Sequence, residues 1–341
     1  MNYKKKAFRG IFLSLIVALT LLIVSFGLVS AEVQYVKIYD KNGETIKHYG
    51  TLKDVEMPRE YFTAEYEMRG VWVATVYNIA ISKQNGTTDK AIADYKAEFL
   101  TILDRMEEYN MNTLYFQVRP SNDAFYKSEI NPWSQYLAGA GVDPGWDPLE
   151  WMVEETHKRG FVFQCWMNAF RVTTHTVLPS NDDKASEYTN EQLVSYKHST
   201  LSKLADGNFA KENPDCVVMG ESDTRLILNP SDPRVQQHLV DTAMEIVENY
   251  DVDGFHFDDY FYLSGGGAAN TYNGNFAGGK TYDETLTGDD CLNDLPCYEA
   301  YKNGDPAYAH LEAGLNLGDF RRASLNHMIK SIREEVDAYN L

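Results

Sequence analysis

Two adjacent carboxylates, Asp258 and Asp259, close a short apolar run, Asp-Val-Asp-Gly-Phe-His-Phe-Asp-Asp-Tyr-Phe-Tyr, that occupies residues 251 to 262. Carboxyl groups held in this way can act as a nucleophile, a charge stabiliser or an anchor for hydroxyl groups. If Val252 to Asp258 is extended, its side chains alternate. Phe255 and Phe257 then share one face, His256 and Asp258 share the other, and Asp259 falls just past the strand. Gly254 gives a neighbouring group room to approach the backbone closely. A parallel strand packed under helices is normally apolar on both faces, so a His and an Asp on one of them need an explanation. Active-site carboxylates at the carboxyl end of a barrel strand supply one. The plainer alternative is a pair of aspartates that opens an Asx-type turn.

The elements around this run are readable from periodicity. Met68 to Val76 is a strongly apolar strand carrying Trp72, and a polar loop leads from it to a helix cap at Asp89. From Lys90 to Tyr109 the apolar residues recur at intervals of three and four, which predicts a helix. Thr113 to Val118 is a second strand, closed by Arg119-Pro120 and followed by a long aromatic loop. Asp147-Pro148-Leu149-Glu150 is a helix start, with an Asp cap, Pro in the first turn and Glu three residues after the cap. That helix stops at Gly160, and Phe161 to Phe170 forms a third strand. Residues 171 to 223 read as a polar insertion with a short helix near Glu191 to Leu204, and Leu226 to Pro230 as a short extended piece. Ser231-Asp232-Pro233 starts the helix that delivers the chain into Val252, and Arg321 to Tyr339 is a last helix. Strands and helices in this rhythm predict an α/β fold, a parallel sheet with helices on its outside. Four β/α units are visible, whereas a closed (β/α)8 barrel needs eight. Half a barrel and an open sheet both fit the count.

The chain has 341 residues and a formal charge of −19, from 50 acidic and 31 basic side chains. No nucleic-acid partner is expected, because such a groove needs a basic footprint. Lys4, Lys5, Lys6 and Arg9 precede an uncharged run from Gly10 to Ala31. This is the layout of an export signal, with Val29-Ser30-Ala31 as a small-residue cleavage site. The run is also long enough to remain as a membrane anchor. Either reading places the remainder outside the cytoplasm, secreted or held at the cell surface. The organisation is then 1–31 as signal or anchor, 32–64 as an extended leader or hairpin, and 65–341 as the main domain. Residues 264 to 288, rich in Gly, Asn and Thr, fit a mobile loop at the end of the fourth strand or a disordered spacer.

Outside the cytoplasm a disulfide is permitted, and Cys291 with Cys297 could close a small loop, whereas Cys165 reads as a buried free thiol. Asp289, Asp290 and Asp294 form a local carboxylate cluster for which calcium is the suited ion, with a solvated acidic loop as the plainer reading. No cofactor is otherwise expected. The sequence holds no Ser nucleophile elbow, HExxH helix, phosphate loop or dinucleotide fingerprint.

Several long strings occur in one order: Met-Arg-Gly-Val-Trp-Val-Ala-Thr-Val at 68–76, the 110–137 segment around Gln-Val-Arg-Pro-Ser-Asn-Asp, 143–160, Leu-Asn-Pro-Ser-Asp-Pro-Arg at 228–234, and Asp-Gly-Phe-His-Phe-Asp-Asp-Tyr at 253–260. In these the chain resembles the glycosyl hydrolase-like 10 family, from about Glu67 onward. The resemblance implies a TIM (β/α)8-type glycosidase barrel related to the amylase barrels, of which only about the first four β/α units are present here. It also implies an extracytoplasmic glycoside hydrolase acting on a polysaccharide or a cell-wall glycan strand of the peptidoglycan type. In amylase-like barrels the nucleophilic Asp ends the fourth strand, which carries over to Asp258. The amylase pattern has Arg two residues earlier, and this chain departs from it with His256.

Glycoside hydrolysis uses two carboxyls, about 5 to 5.5 Å apart for retention and about 6.5 to 9.5 Å for inversion. Asp258 and Asp259 point in opposite directions from an extended backbone. Asp258 is therefore assigned as nucleophile or charge stabiliser and Asp259 to hydroxyl binding or orientation, with the proton donor expected on a later strand. Substrate contacts are expected from His256, from Arg119 and Asn168 at the same rim, and from Gln117 and Trp166 one level deeper. Trp133 and Tyr260 are the expected sugar platforms among the loop aromatics. A non-catalytic glycan-binding protein using the same cleft is the alternative.

Overall fold

The computed structural model describes residues 35–47, 52–59, 67–181, 183–219, 224–258, 261–262 and 286–339. The export or anchor segment, Asp259, Tyr260 and nearly all of the Gly-rich 264–288 stretch lie outside the described residues. The chain divides into two compact units, 1–67 and 68–341. In the first, β1 (Tyr35–Lys37) pairs antiparallel with β2 (Glu56–Pro58), placing Val36 opposite Met57. Lys37 and Lys47 both reach the carboxylate of Asp54 in this hairpin.

The second unit is built on a four-stranded parallel sheet. Its order is β3 (Gly70–Val73), β4 (Thr113–Arg119), β5 (Val162–Met167) and β8 (Gly254–Phe257). Between the strands run α1 (Asp89–Glu108), α2 (Pro148–Lys158) and, after an insertion, α5 (Pro233–Asn249). Each helix begins on a polar cap. Asp147 accepts from the Glu150 N–H and Asp232 from the Arg234 N–H, with Pro148 and Pro233 in the first turns, where a missing N–H costs nothing. For α1 the cap is Thr88, one position before the expected Asp89; its hydroxyl accepts from the Ala91 N–H, and Asp89 is the first helical residue.

One face of the sheet is covered by these helices. Leu114, Phe116 and Val118 of β4 and Phe163, Cys165 and Met167 of β5 are fully buried against Phe99, Leu103, Leu149 and Met152. Phe116 meets Phe99 edge to face at 5.8 Å. Truncating such a ring to Ala costs about 3–5 kcal/mol. This layer fixes which side chains are left for the other face.

The insertion after β5 holds more structure than its polar composition suggests. It contains α3 (Asn190–Leu201), the single turn α4 (Phe209–Glu212) and β6 (Val217–Met219), which pairs antiparallel with β7 (Leu226–Leu228). All six residues of that ribbon are buried. With both sides covered and only three residues per strand, no alternation was available to be read. A helix α6 (Leu295–Lys302) precedes α7 (Leu317–Tyr339), whose start lies four residues ahead of the expected Arg321.

All four cysteines are free. The expected Cys291 to Cys297 loop is not closed: the Cys291 thiol donates to the Asn293 carbonyl, and Cys297 accepts from Asn229. The three aspartates proposed for calcium do not converge. Asp294 is fully buried in a two-point pair with Arg321, at 2.6 and 2.7 Å, while Asp290 meets His198 at 2.8 Å. Among the described residues no helix is long and apolar enough to cross a membrane, and no cluster of three or more His, Cys, Asp or Glu could hold a metal.

Candidate active site

Strand register assembles the site. With Phe255 and Phe257 committed to the helix side, His256 falls on the opposite face. Gln117 on β4, Trp166 on β5 and His256 on β8 are successive partners and form one row across the sheet. One level lower, Tyr115 pairs with Trp72 on one side and Gln164 on the other. Tyr115 stacks flat on Trp72 at 4.4 Å, and the His256 ring stands edge-on to Tyr115 at 5.2 Å, Trp72 at 5.9 Å and Trp166 at 6.1 Å. Two glycines make this packing possible. A Cβ on Gly70 would lie 2.6 Å from the Tyr115 ring, and one on Gly254 would lie 2.6 Å from Gln164 Oε1. Trp72 remains 52% exposed, so this face is open among the described residues.

Above the row, at the carboxyl ends of the strands, lies Asp258. It is half-buried, and its Oδ1 accepts a hydrogen bond of 2.9 Å from Asn168 Nδ2. Asn168 is fully buried, and its own Oδ1 accepts from the Arg171 N–H at 3.1 Å. This second bond settles which end of the amide faces Asp258.

Arg119 is the main correction to the sequence reading. A register shift between Gln117 and Arg119 brings Arg119 opposite Met167 and re-aims its side chain. The guanidinium is fully buried and donates to the carbonyls of Asn168 (2.9 Å) and Ala169 (3.0 Å) and to the Asn122 side chain. Its Nη2 also lies 3.4 Å from His238 Nε2. Arg119 therefore ties the ends of β4 and β5 together and does not face the mouth. Burial lowers its pKa to about 10. His238, stacked on Phe209, is held down to about 3, by burial first and then by the neighbouring guanidinium, so the neutral ring serves Arg119 as an acceptor.

Gln117 is also fully buried. Its Oε1 accepts from the N–H groups of Thr75 (3.0 Å) and Val76 (2.9 Å), which fastens the end of β3, while its Nε2 has no partner among the described residues. Trp166 Nε1 is likewise buried without one. These are two donors in the row beneath Asp258. Trp133 packs, partly buried, on the helix-side core, as a covering aromatic does. Of the other loop aromatics, Tyr136, Phe170 and Tyr262 are buried.

Residues that the sequence reading did not single out complete the rim. After β3, Tyr77 and Asn78 both adopt left-handed backbone, with φ of 54° and 51°, at about 1–3 kcal/mol each for non-glycine residues. Tyr77 donates to the Thr174 carbonyl at 2.9 Å and Asn78 Nδ2 to the Tyr136 carbonyl at 2.7 Å, so three loops meet at this end. Asp123 is a second buried carboxyl there. Burial raises its pKa although it accepts from Ser134 Oγ (2.6 Å) and the Ser121 N–H (3.0 Å), and these bonds make it a loop brace. The string Pro-Ser-Asn-Asp after Arg119 was the available signal for Asn122 and Asp123. An open groove of about 940 Å³ lies on the helix side, lined in part by Trp146, Trp151 and Tyr250, and contains no residue of this face.

Comparison with known proteins identifies the family. Residues 67–339 match the model of the family described as Glycosyl hydrolase-like 10. The chain is 32% identical over 276 residues to Glycosyl hydrolase YngK of Bacillus subtilis, covering 81% of this chain and 43% of that one. It is 32% identical over 283 residues to Glycosyl hydrolase DigH of Escherichia coli K12, covering 79% and 54%. The chain thus spans about half the length of the curated relatives it matches. An alpha-L-fucosidase isoenzyme 2 from Paenibacillus thiaminolyticus overlaps 80% of this chain and 31% of its own at 15% identity, with a TM-score of 0.41, too loose to inform the site. With that extent of match at these identities, this chain belongs to the glycosyl hydrolase-like 10 family.

Proposed function

We propose that the chain carries the first half of an extracytoplasmic glycoside hydrolase barrel that cleaves a polysaccharide or cell-wall glycan strand. The observation that carries this reading is the hydrogen bond from Asn168 to Asp258 at the carboxyl ends of neighbouring parallel strands, on the face that helices leave uncovered. Catalytic groups of (β/α)8 enzymes stand at that end, and a carboxylate held by a fixed amide is preorganised to meet a developing oxocarbenium charge. Asp258 acts as nucleophile or charge stabiliser. Asp259 binds or orients a hydroxyl, and the proton donor stands on strands that close the sheet into a barrel. Support for closure comes from the row of Gln117, Trp166 and His256, in which Gln117 Nε2 and Trp166 Nε1 have no partner among the described residues, and from matches that cover only 43% and 54% of the relatives' length. His256, Asn168, Gln117 and Trp166 line the substrate side, with Tyr260 as a platform beside them, and Arg119 acts through Asn168. Export rests on the basic and apolar order of residues 4–31.

The test is Asp258→Asn in a protein that also carries the barrel-closing strands, with release of reducing ends measured on denuded glycan strands and on α-glucan. A fall in turnover of about a thousandfold or more, with folding retained, is expected for loss of a nucleophile. Unchanged turnover removes Asp258 from the mechanism. Saccharide binding with no turnover in the unmutated protein would instead favour a binding module.

A further inference from the structure

We propose that Tyr77 is a stacking platform for a second sugar unit of the bound glycan, at the β3 side of the mouth; this rests on the glycan reading above. Tyr77 follows the strand end that Gln117 holds, through the Thr75 and Val76 N–H groups. It therefore stands at the same carboxyl end as Asp258. Its side chain is 57% exposed, the largest exposure of any aromatic in the loops that meet there. Its position is nonetheless fixed from two sides. The hydroxyl donates across to the Thr174 carbonyl in the loop after β5, and the ring stands edge-on to buried Tyr136 at 6.0 Å.

A bulky residue with positive φ is an outlier that persists only where the surroundings determine it. Glycine or asparagine would occupy this backbone with less strain, so a tyrosine here is poorly explained by the turn alone. Its hydroxyl is engaged with protein and only its ring is presented to solvent. An immobilised, exposed ring is suited to the flat apolar face of a pyranose, because aromatic contact needs area and orientation and loses little side-chain entropy on binding. The tie to Thr174 sets that ring on the loop that begins at Asn168, the partner of Asp258. The platform and the carboxylate therefore share one support.

The experiment uses the full chain carrying Asp258→Asn, so that ligand is not consumed, and measures calorimetric binding of chitohexaose and maltohexaose. In that background Tyr77→Phe, Tyr77→Gly and Tyr77→Asn are compared, with melting temperatures recorded in parallel. Tyr77→Phe keeps the ring and is expected to bind within about two-fold of its parent. Tyr77→Gly and Tyr77→Asn suit the left-handed backbone but lack the ring, and are expected to bind about five-fold more weakly without a lowered melting temperature. Equal binding by the Gly variant and its parent overturns the platform and leaves the glycosidase reading standing. So does a loss in Tyr77→Phe as large as that in Tyr77→Gly, since the tie to Thr174 would then be what matters. If the parent binds neither probe and the unmutated protein releases no reducing ends, the platform falls together with the glycosidase reading.

Discussion

Asn168 and Asp258, ninety residues apart in sequence, are joined side chain to side chain at 2.9 Å where β5 and β8 end. The amide is held from behind by the Arg171 N–H, and its backbone carbonyl is held by Arg119. Asp258 thus receives a donor that cannot easily turn away. Asn168→Ala removes that donor together with the acceptor of the Arg171 N–H. We expect kcat to fall about 10- to 100-fold, the equivalent of one charged hydrogen bond of about 1.5–3 kcal/mol, with KM moving less than about three-fold. Steady-state kinetics on a glycan substrate checks this, and a change confined to KM would contradict it.

Gly70 lies directly under Tyr115. A methyl group there would sit 2.6 Å from the ring and force it off Trp72. Gly70→Ala is expected to destabilise the second unit by about 1–3 kcal/mol, as overpacking does. It should also alter tryptophan emission, because Trp72 would lose its stacked neighbour. Urea unfolding followed by fluorescence measures both.

His238 is neutral in the folded protein and titrates near 3, against 6.5 when unfolded. Between those values the unfolded chain binds more protons, so stability rises with pH across the window and is lost on acidification. The contribution is fully present above about pH 6.5, and its loss approaches about 1.4 kcal/mol per pH unit in the steep part. His238→Gln keeps an acceptor for Arg119 and does not titrate. Subtracting its stability-against-pH curve from that of the parent should leave a slope confined to this window. A flat difference would contradict the assignment.

Asp294 and Arg321 are both buried at 1% exposure or less. The Arg321 guanidinium also faces the Tyr262 ring at 5.7 Å, and burial and Asp294 act on its pKa in opposite senses, with a net rise. Asp294→Asn removes the carboxylate charge of this two-point pair and is expected to cost about 3–5 kcal/mol, as breaking a buried pair at one partner does. Replacing both partners by apolar residues of similar volume should cost much less. Thermal unfolding of the single and double variants decides this, and equal costs would contradict it.

The parallel order of the strands and the face of His256 were legible because alternation and helical period are local signals. Phe255 and Phe257 had to enter the helix-side core, which left His256 and Asp258 for the other face. The same count from Gln164 and Trp166 carries Asn168 to the strand end, where its amide meets Asp258. The aim of Arg119 was not legible, because a register shift depends on the neighbouring strand and leaves no mark in the sequence of β4 alone. Tyr77 escaped notice for a similar reason, since nothing local marks a tyrosine as left-handed. Of the β6–β7 ribbon, the extended piece at Leu226 to Leu228 was legible as an apolar run before Asn229-Pro230, whereas β6 was hidden by being buried on both sides, which erases the period used to find strands.

The Arg119 guanidinium reaches the segment after β4 through Asn122 and the segment after β5 through the Asn168 and Ala169 carbonyls. Those two stretches are therefore a single structural block. A chimera that imports residues 119–124 from a relative without 168–171 would break the junction, so successful exchanges within this family should carry both or neither.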